Sequence, residues 1–113
     1  MKLLEKPIYF DVDNTLILLD NCYDDIDIEI HEGNEVHIRY AHTPHISLLK
    51  RYKNRGYDIV LWSGNGAAWA EKVKVALELE NYVDLCIAKP IRYVDDLDFS
   101  EWSGGRIYIE DKE

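Results

Sequence analysis

Short apolar runs that alternate with helix-like segments constrain the fold of this chain more than any other feature. The run Ile8 to Phe10 is continuous and ends in Asp11, which is typical of a strand buried on both faces of a parallel sheet. Tyr57 to Trp62 is a second such run, rich in Ile, Val and aromatic residues. Further short strands are predicted at Val83 to Ala88, Arg92 to Val94 and Arg106 to Glu110.

Two segments between these runs have helical patterns. Thr43 is expected to cap the first helix, with Pro44 at its first position and Gly56 at its end. The second helix follows the tight turn 63–66 and extends to about Glu80. Strands alternating with helices predict an α/β fold, a three-layer α/β/α Rossmann-like sandwich with a mostly parallel sheet.

A different pattern fills the region between the first run and the first helix. Apolar and polar residues alternate from Ile26 to Ile30 and again from Val36 to Tyr40, on either side of Gly33-Asn34. A Gly-Asn link between alternating runs predicts a β-hairpin.

Composition narrows the class of protein. A chain of 113 residues with 47% hydrophobic residues suits one domain, 1–113, with one core. The net charge of -9 makes binding of long nucleic acid or an anionic membrane surface unlikely, although a divalent metal still permits local phosphate binding. Two cysteines without CxxC spacing, and no signal-like or membrane-length apolar run, favour free thiols and a cytoplasmic location.

Polar clusters follow the apolar runs, where an α/β sheet collects its binding residues beyond the carboxyl ends of the strands. The four clusters are Asp11-Val12-Asp13-Asn14-Thr15, Ser63-Gly64-Asn65, Lys89 and Asp95-Asp96. Phosphoryl transfer needs such a set. A carboxylate nucleophile meets a negatively charged phosphoryl group, and a metal ion and a lysine offset the repulsion. A second carboxylic acid moves the protons, backbone amides at a helix start bind anions, and oxygen ligands suit Mg²⁺.

Four motifs in these clusters resemble the haloacid dehalogenase (HAD) superfamily of phosphatases, in that family's order. They are FDVDNTLI at 10–17, LWSGN at 61–65, AKP at 88–90 and YVDD at 93–96. The resemblance implies a Mg²⁺-dependent phosphomonoester hydrolase that forms an aspartyl-phosphate on Asp11. Its substrate would be a small phosphorylated molecule such as a nucleotide or a sugar phosphate, or the terminal phosphate of a nucleic acid.

The resemblance also implies a role for each motif residue. Asp11 would be the nucleophile, Asp13 the general acid and base, and Lys89 the group that stabilises phosphoryl charge. The phosphate would be held, and the first loop steadied, by Thr15, Ser63, Gly64 and Asn65. Magnesium would be bound by the Asp11 carboxylate, the Asp13 carbonyl and Asp96, with Asp95 as a more distant or water-mediated ligand.

Two departures from the family pattern matter. Only six residues separate Lys89 from Asp96, too few to connect two parallel strands. Either Val83 to Ala88 is not a full parallel strand and the fourth motif is Asp95-Asp96, which we favour, or the fourth motif lies later, at Glu110-Asp111. The only insert between the first two motifs is the hairpin and one helix, so we expect a capless member in which the hairpin acts as a flap.

Other functions fit parts of the pattern. A receiver-like phosphoacceptor also uses a phosphorylated aspartate, but Asp13 two residues beyond Asp11 favours turnover. A non-catalytic HAD-like binding protein is a further alternative. The four histidines, at 31, 37, 42 and 45, match no common zinc-ligand spacing. Trp69 is interpreted as a core residue or a loop anchor.

Overall fold

Two three-stranded sheets and three helices form the described part of the chain, residues 4–21 and 26–109, in the computed structural model. The strands are β1 (Pro7–Asp11), β2 (Ile17–Leu18), β3 (Asp27–Glu32), β4 (Glu35–Ala41), β5 (Asp58–Ser63) and β6 (Leu85–Ala88). The helices are α1 (Thr43–Asn54), α2 (Ala67–Ala76) and α3 (Phe99–Trp102).

The first sheet is parallel, in the order β1-β5-β6. Its central strand β5 buries Ile59, Val60 and Leu61 completely, which explains the continuous apolar run in the sequence. Helices α1 and α2 pack against β5, and α2 also packs against β6. The core between them includes Leu49 of α1 and Val73 of α2, both without exposed surface. The α/β class predicted from the sequence is confirmed, with a mostly parallel sheet.

A buried carboxylate joins β1 to β5 at the end of the sheet where both strands begin. Asp58 opens β5 and is 6% exposed. Its Oδ2 accepts hydrogen bonds from the backbone N–H groups of Glu5 (2.9 Å) and Lys6 (3.0 Å), directly ahead of β1. The two strands then pair in register from Pro7 opposite Asp58 to Asp11 opposite Trp62.

The second sheet is antiparallel, in the order β2-β4-β3, and contains the predicted hairpin. Glu32 pairs with Glu35 across the turn, where Gly33 has φ 61°, a conformation that favours glycine. The hairpin also packs against α2, and Ile30 of β3 is buried in the common core. The flap region is therefore anchored to the body of the protein.

The helix ends differ from the sequence prediction. His42, not Thr43, occupies the position before α1, because its carbonyl accepts the N–H groups of His45 (3.1 Å) and Ile46 (3.2 Å). Helix α2 stops at Ala76 instead of about residue 80, because Glu78 adopts a left-handed conformation with φ 57°.

The predicted strand Arg92–Val94 was wrong. These residues have no regular structure, and Val94 is fully exposed. Residues 106–109 of the predicted last strand form none either, and Glu110 lies outside the described residues. Residues with strand propensity form a strand only beside a partner, and the short link after β6 is too brief for a parallel crossover.

The remaining expectations concern the thiols and the membrane. Cys86 is a buried free thiol, and Cys22 lies outside the described residues. Burial raises the pKa of the Cys86 thiol to about 11, with a smaller contribution from Glu71. Within the described ranges, every helix is too short or too polar to span a bilayer.

Candidate active site

The carboxyl ends of the three parallel strands bring the first three predicted motifs to one edge. Asp11 is the last residue of β1, Ser63 is the last residue of β5, and Lys89 directly follows β6. The register fixes this edge, because Asp11 lies opposite Trp62 and Ser63 lies opposite Ala88. The expectation that these residues share one edge of the sheet is therefore confirmed.

Asp11 has a different partner at each carboxylate oxygen. The hydroxyl of Thr15 donates to Oδ2 at 3.1 Å, and the ammonium of Lys89 lies 3.1 Å from Oδ1. The Asp11 side chain is 32% exposed and the Lys89 side chain 41%, so a ligand can reach both from solvent. A carboxylate oriented by a hydroxyl and neutralised by a lysine is suited to meet an anionic electrophile.

A tight loop after β1 brings a second carboxylate to the same edge. The carbonyl of Val12 accepts the N–H groups of three residues, Thr15 (3.3 Å), Leu16 (2.9 Å) and Ile17 (3.2 Å). Asn14 adopts a left-handed conformation with φ 64°, which Asn tolerates better than most residues. The chain thus turns directly after Asp11, and Asp13 does not point away as it would in a continued strand.

Asp13 connects the first motif to the second. Its Oδ2 accepts the side-chain amide of Asn65 at 2.9 Å, and the indole N–H of Trp69 lies 3.3 Å from Oδ1 and 3.2 Å from Oδ2. Trp69 is 8% exposed, so the interpretation as a core residue was right but incomplete. A buried tryptophan usually finds an acceptor for its N–H, and this signal in the sequence pointed towards a polar partner.

The second motif forms the turn ahead of α2. Ser63 is fully buried, its hydroxyl accepts the N–H of Asn65 (2.9 Å), and its carbonyl accepts the N–H of Lys89 (2.9 Å). Gly64 and Asn65 are exposed, and Gly66 precedes the helix with φ 102°. The backbone of Ser63 thereby ties the segment that carries Lys89 to the end of β5.

Two buried histidines, to which sequence reasoning assigned no role, lie behind the first loop. His45 Nδ1 is 2.8 Å from both the carbonyl of Thr15 and Nδ1 of His42, and His45 Nε2 accepts the N–H of Ile109 at 2.8 Å. Because Nε2 accepts, neutral His45 carries its proton on Nδ1 and donates to Thr15. Burial lowers the pKa of His45, nearby His42 lowers it further, and the hydrogen bond to Thr15 opposes both.

The C-terminal segment contacts the same loop. The Tyr108 hydroxyl donates to the carbonyl of Asn14 at 3.0 Å, and its ring lies edge-on to His45 with centroids 4.7 Å apart. The alternative fourth motif, Glu110-Asp111, follows this segment and lies outside the described residues.

The favoured fourth motif is placed differently from the other three. Asp95 and Asp96 are exposed and follow no strand, and Asp95 Oδ1 accepts the N–H of Leu97 at 3.0 Å. Among the hydrogen bonds and ion pairs of residues 4–21 and 26–109, none joins this pair to Asp11 or Lys89.

Hard oxygen donors at the first loop fit magnesium in their chemistry. Mg²⁺ is commonly held by one or two carboxylates together with water and substrate oxygens, and the partly exposed Asp11 carboxylate meets that need. Within the described ranges, the one group of three acidic or histidine ligand atoms lying within 4.8 Å of one another is elsewhere, at the hairpin tip, and consists of Glu32, Glu35 and His37.

Comparisons of the chain with protein-family models, with curated proteins and with solved structures give no match. The contacts of Asp11, Asp13 and Lys89 at the edge of the sheet are therefore the observations that bear on function.

Proposed function

We propose that the protein is a Mg²⁺-dependent phosphomonoester hydrolase of the HAD type, which forms an aspartyl-phosphate on Asp11. The observation that carries the proposal is the Asp11 carboxylate held between the Thr15 hydroxyl and the Lys89 ammonium, each at 3.1 Å. We further infer a three-layer sandwich, supported by the packing of α1 and α2 on β5, and a cytoplasmic location, favoured by the buried free thiol.

The first half-reaction forms the phosphoenzyme. An oxygen of Asp11 attacks the phosphorus of the monoester while the bond from phosphorus to the ester oxygen breaks. Lys89, already beside the carboxylate, offsets the negative charge of the phosphoryl group as it approaches. The exposed residue Gly64, ahead of α2, offers a backbone N–H that is suited to hold a peripheral oxygen, whereas the Asn65 N–H already donates to the Ser63 hydroxyl.

Asp13 is suited to move the protons of both halves of the reaction. As an acid it protonates the departing ester oxygen, and as a base it then removes a proton from the water that attacks the phosphoenzyme. The bond between phosphorus and the Asp11 oxygen then breaks, which releases inorganic phosphate and restores the Asp11 carboxylate. Asn65 and Trp69 fix the direction of its carboxylate through their hydrogen bonds. A fixed proton donor two residues from the nucleophile favours turnover over a lasting phosphoryl group.

Magnesium would be held by the Asp11 carboxylate and the Asp13 carbonyl, with Asp96 and the more distant Asp95, or Glu110-Asp111, completing the acidic set. When bound, the ion would offset phosphate charge and orient the phosphoryl group. The remaining roles belong to the protein side chains: Asp11 attacks, Asp13 transfers protons and Lys89 neutralises charge.

The test is release of inorganic phosphate from 4-nitrophenyl phosphate, with Mg²⁺ and with EDTA. Wild type is expected to turn over only with Mg²⁺, and Asp11→Asn is expected to abolish turnover. Asp27→Asn, an exposed carboxylate at the start of β3, is the matched control and should behave as wild type. Wild-type activity in Asp11→Asn would refute the nucleophile assignment.

The lifetime of the phosphoenzyme separates a hydrolase from a receiver-like phosphoacceptor. Intact-protein mass spectrometry after mixing with substrate should show a short-lived adduct of about 80 Da in wild type, the mass of one phosphoryl group. An adduct that persists for minutes in wild type with intact Asp13 would favour the receiver instead. Mg²⁺ binding with neither an adduct nor turnover on a broad phosphate panel would favour a non-catalytic binding protein.

A further inference from the structure

A small cavity of about 220 Å³ lies beside Asp13, on the side of the hairpin. Its lining combines the first loop, the second motif, strand β4 and the residues around β2: Asp13, Asn14, Ile17, Leu19, Arg39 and Asn65. Arg39 is the one positively charged residue of this lining. The cavity therefore brings a cation from the hairpin close to the carboxylate that we propose as proton donor.

Arg39 is available to a ligand. One of its nitrogens, Nη1, donates to the carbonyl of Ile38 at 2.9 Å, and its guanidinium carbon lies 6.0 Å from the centre of the Trp69 ring. Among the ion pairs of the described ranges, none engages Arg39. Within residues 4–21 and 26–109, its guanidinium lies near the Trp69 ring and donates this single hydrogen bond, so most of its five N–H donors have no partner there.

The position of Asp13 indicates which part of the substrate would occupy the cavity. A general acid must lie within hydrogen-bond reach of the leaving oxygen, so the rest of the leaving group lies next to Asp13. The cavity that opens at Asp13 is suited to that part of the substrate. The cavity, with a volume of about 220 Å³, is large enough for a short leaving group.

The charge of the leaving group determines whether it binds favourably in this cavity. The chain has a net charge of -9, so a doubly anionic substrate is repelled unless a cation meets its second charge. A guanidinium binds carboxylate and phosphate groups through paired hydrogen bonds. We infer that Arg39 is a specificity-determining residue, which selects small phosphomonoesters whose leaving group carries a second anionic group, a carboxylate or a phosphate. This inference rests on the proposed phosphatase activity.

Matched substrate pairs test the inference. One pair is 3-phosphoglycerate and glycerol 3-phosphate, which differ by a carboxylate, and the other is propane-1,3-diol bisphosphate and its monophosphate. Wild type is expected to prefer the doubly anionic member of at least one pair by about tenfold or more in kcat/KM. The pair that shows the larger preference identifies the anion as carboxylate or phosphate.

Variants of Arg39 then assign the preference to its side chain. Arg39→Gln should reduce the preference to about twofold or less, whereas Arg39→Lys, which keeps the charge, should retain part of it. Arg51→Gln, an exposed arginine of α1, removes the same charge elsewhere and should leave the preference unchanged. The melting temperature of each variant shows whether it is folded.

The outcomes separate this inference from the proposed function. If wild type hydrolyses 4-nitrophenyl phosphate but shows no preference in either pair, or if Arg39→Gln keeps the preference, Arg39 does not determine specificity. If wild type hydrolyses no phosphomonoester, the proposed function fails. In that case, calorimetry measures the affinities of wild type and Arg39→Gln for the same four compounds. Arg39 selects the second anionic group if wild type binds the doubly anionic member of a pair more tightly and Arg39→Gln loses that preference. Equal affinities in wild type, or a preference kept in Arg39→Gln, would exclude this role.

Discussion

Replacing Lys89 by Met distinguishes two roles of this residue: an action on the substrate, or a surface ion pair with Asp11 alone. Methionine keeps much of the length and apolar character of the side chain and removes its charge. The Lys89 ammonium lies 3.1 Å from Asp11 Oδ1, with side-chain exposures of 41% and 32%. The pair is therefore neither buried nor fully solvated. A surface ion pair predicts only a small change in the free energy of unfolding, whereas a lysine that acts on substrate also predicts a large fall in kcat/KM.

The effect on folding should be small. Coulomb's law at this separation gives about 1.3 kcal/mol in bulk water and about 5 kcal/mol at an effective dielectric constant of 20. Desolvation and loss of side-chain freedom offset most of this in partly exposed pairs, which typically contribute about 0–1 kcal/mol to stability. We expect the free energy of unfolding of Lys89→Met to fall by less than about 1 kcal/mol.

The effect on catalysis should be much larger. In the proposed reaction, attack by Asp11 would bring a phosphoryl group with additional negative charge to the position beside Lys89. Removing one preorganised electrostatic contact of this kind typically costs about 10²–10³ in rate, or about 2.7–4 kcal/mol of transition-state stabilisation. We therefore expect kcat/KM of Lys89→Met to fall by at least about a hundredfold.

The assay is Mg²⁺-dependent hydrolysis of 4-nitrophenyl phosphate, with urea unfolding measured on the same samples. Lys74→Met is the matched control, because Lys74 forms a 2.7 Å ion pair with Glu71 on α2 and has no proposed role in the reaction. A Lys89→Met protein that retains more than about a third of the wild-type kcat/KM would contradict the reasoning. An equal loss of activity in Lys74→Met would show that the assay reports general damage instead.

Three further predictions concern residues to which the sequence analysis assigned no part in the reaction. Trp69→Phe keeps the ring but removes the N–H donor to Asp13, so kcat should fall about tenfold with little change in melting temperature; an unchanged kcat would remove Trp69 from the proposed mechanism. Because burial lowers the pKa of His45 from 6.5, the unfolded chain binds a proton below pH 6.5 that the folded chain resists. Stability should therefore fall on acidification by up to about 1.4 kcal/mol per pH unit, and urea titrations of His45→Gln should show a shallower slope. Cys86, with a pKa of about 11, should react with iodoacetamide at pH 8 more than about a hundredfold slower than a free thiol, and peptide mass spectrometry that shows rapid labelling would contradict its burial.

The parallel sheet and its polar edge were readable from the sequence because both depend on local pattern. A continuous apolar run identifies a doubly covered strand, and parallel strands place whatever follows them at one edge. Asp11, Ser63 and Lys89 followed from these two rules. The hairpin followed from strict alternation around Gly33-Asn34.

Contacts between distant parts of the chain were not readable in the same way. His45 meets Ile109 across 64 positions, and only the folded chain shows that a histidine at a helix start supports the first loop. Arg39 looked like one polar residue in an alternating strand, and its place in the cavity depends on how the hairpin packs on α2. The prediction of a strand at Arg92–Val94 was wrong because β-propensity alone does not show whether a neighbouring strand is present to pair with.

The carboxylate of Asp58 helps to fix the position of Asp11 along the sheet, although the two residues lie at opposite ends of the paired strands. It clamps the amides ahead of β1 at the end of the strand opposite to Asp11, about 16 Å away at roughly 3.3 Å per residue. A slip of β1 by a single residue would carry Asp11 along by that same step and turn its side chain to the other face. Asp58 thus sets the position of Asp11 along the sheet. Under the proposed function, we expect a substitution of Asp58 to slow phosphoryl transfer, although Asp58 lies at the opposite end of the strand pair.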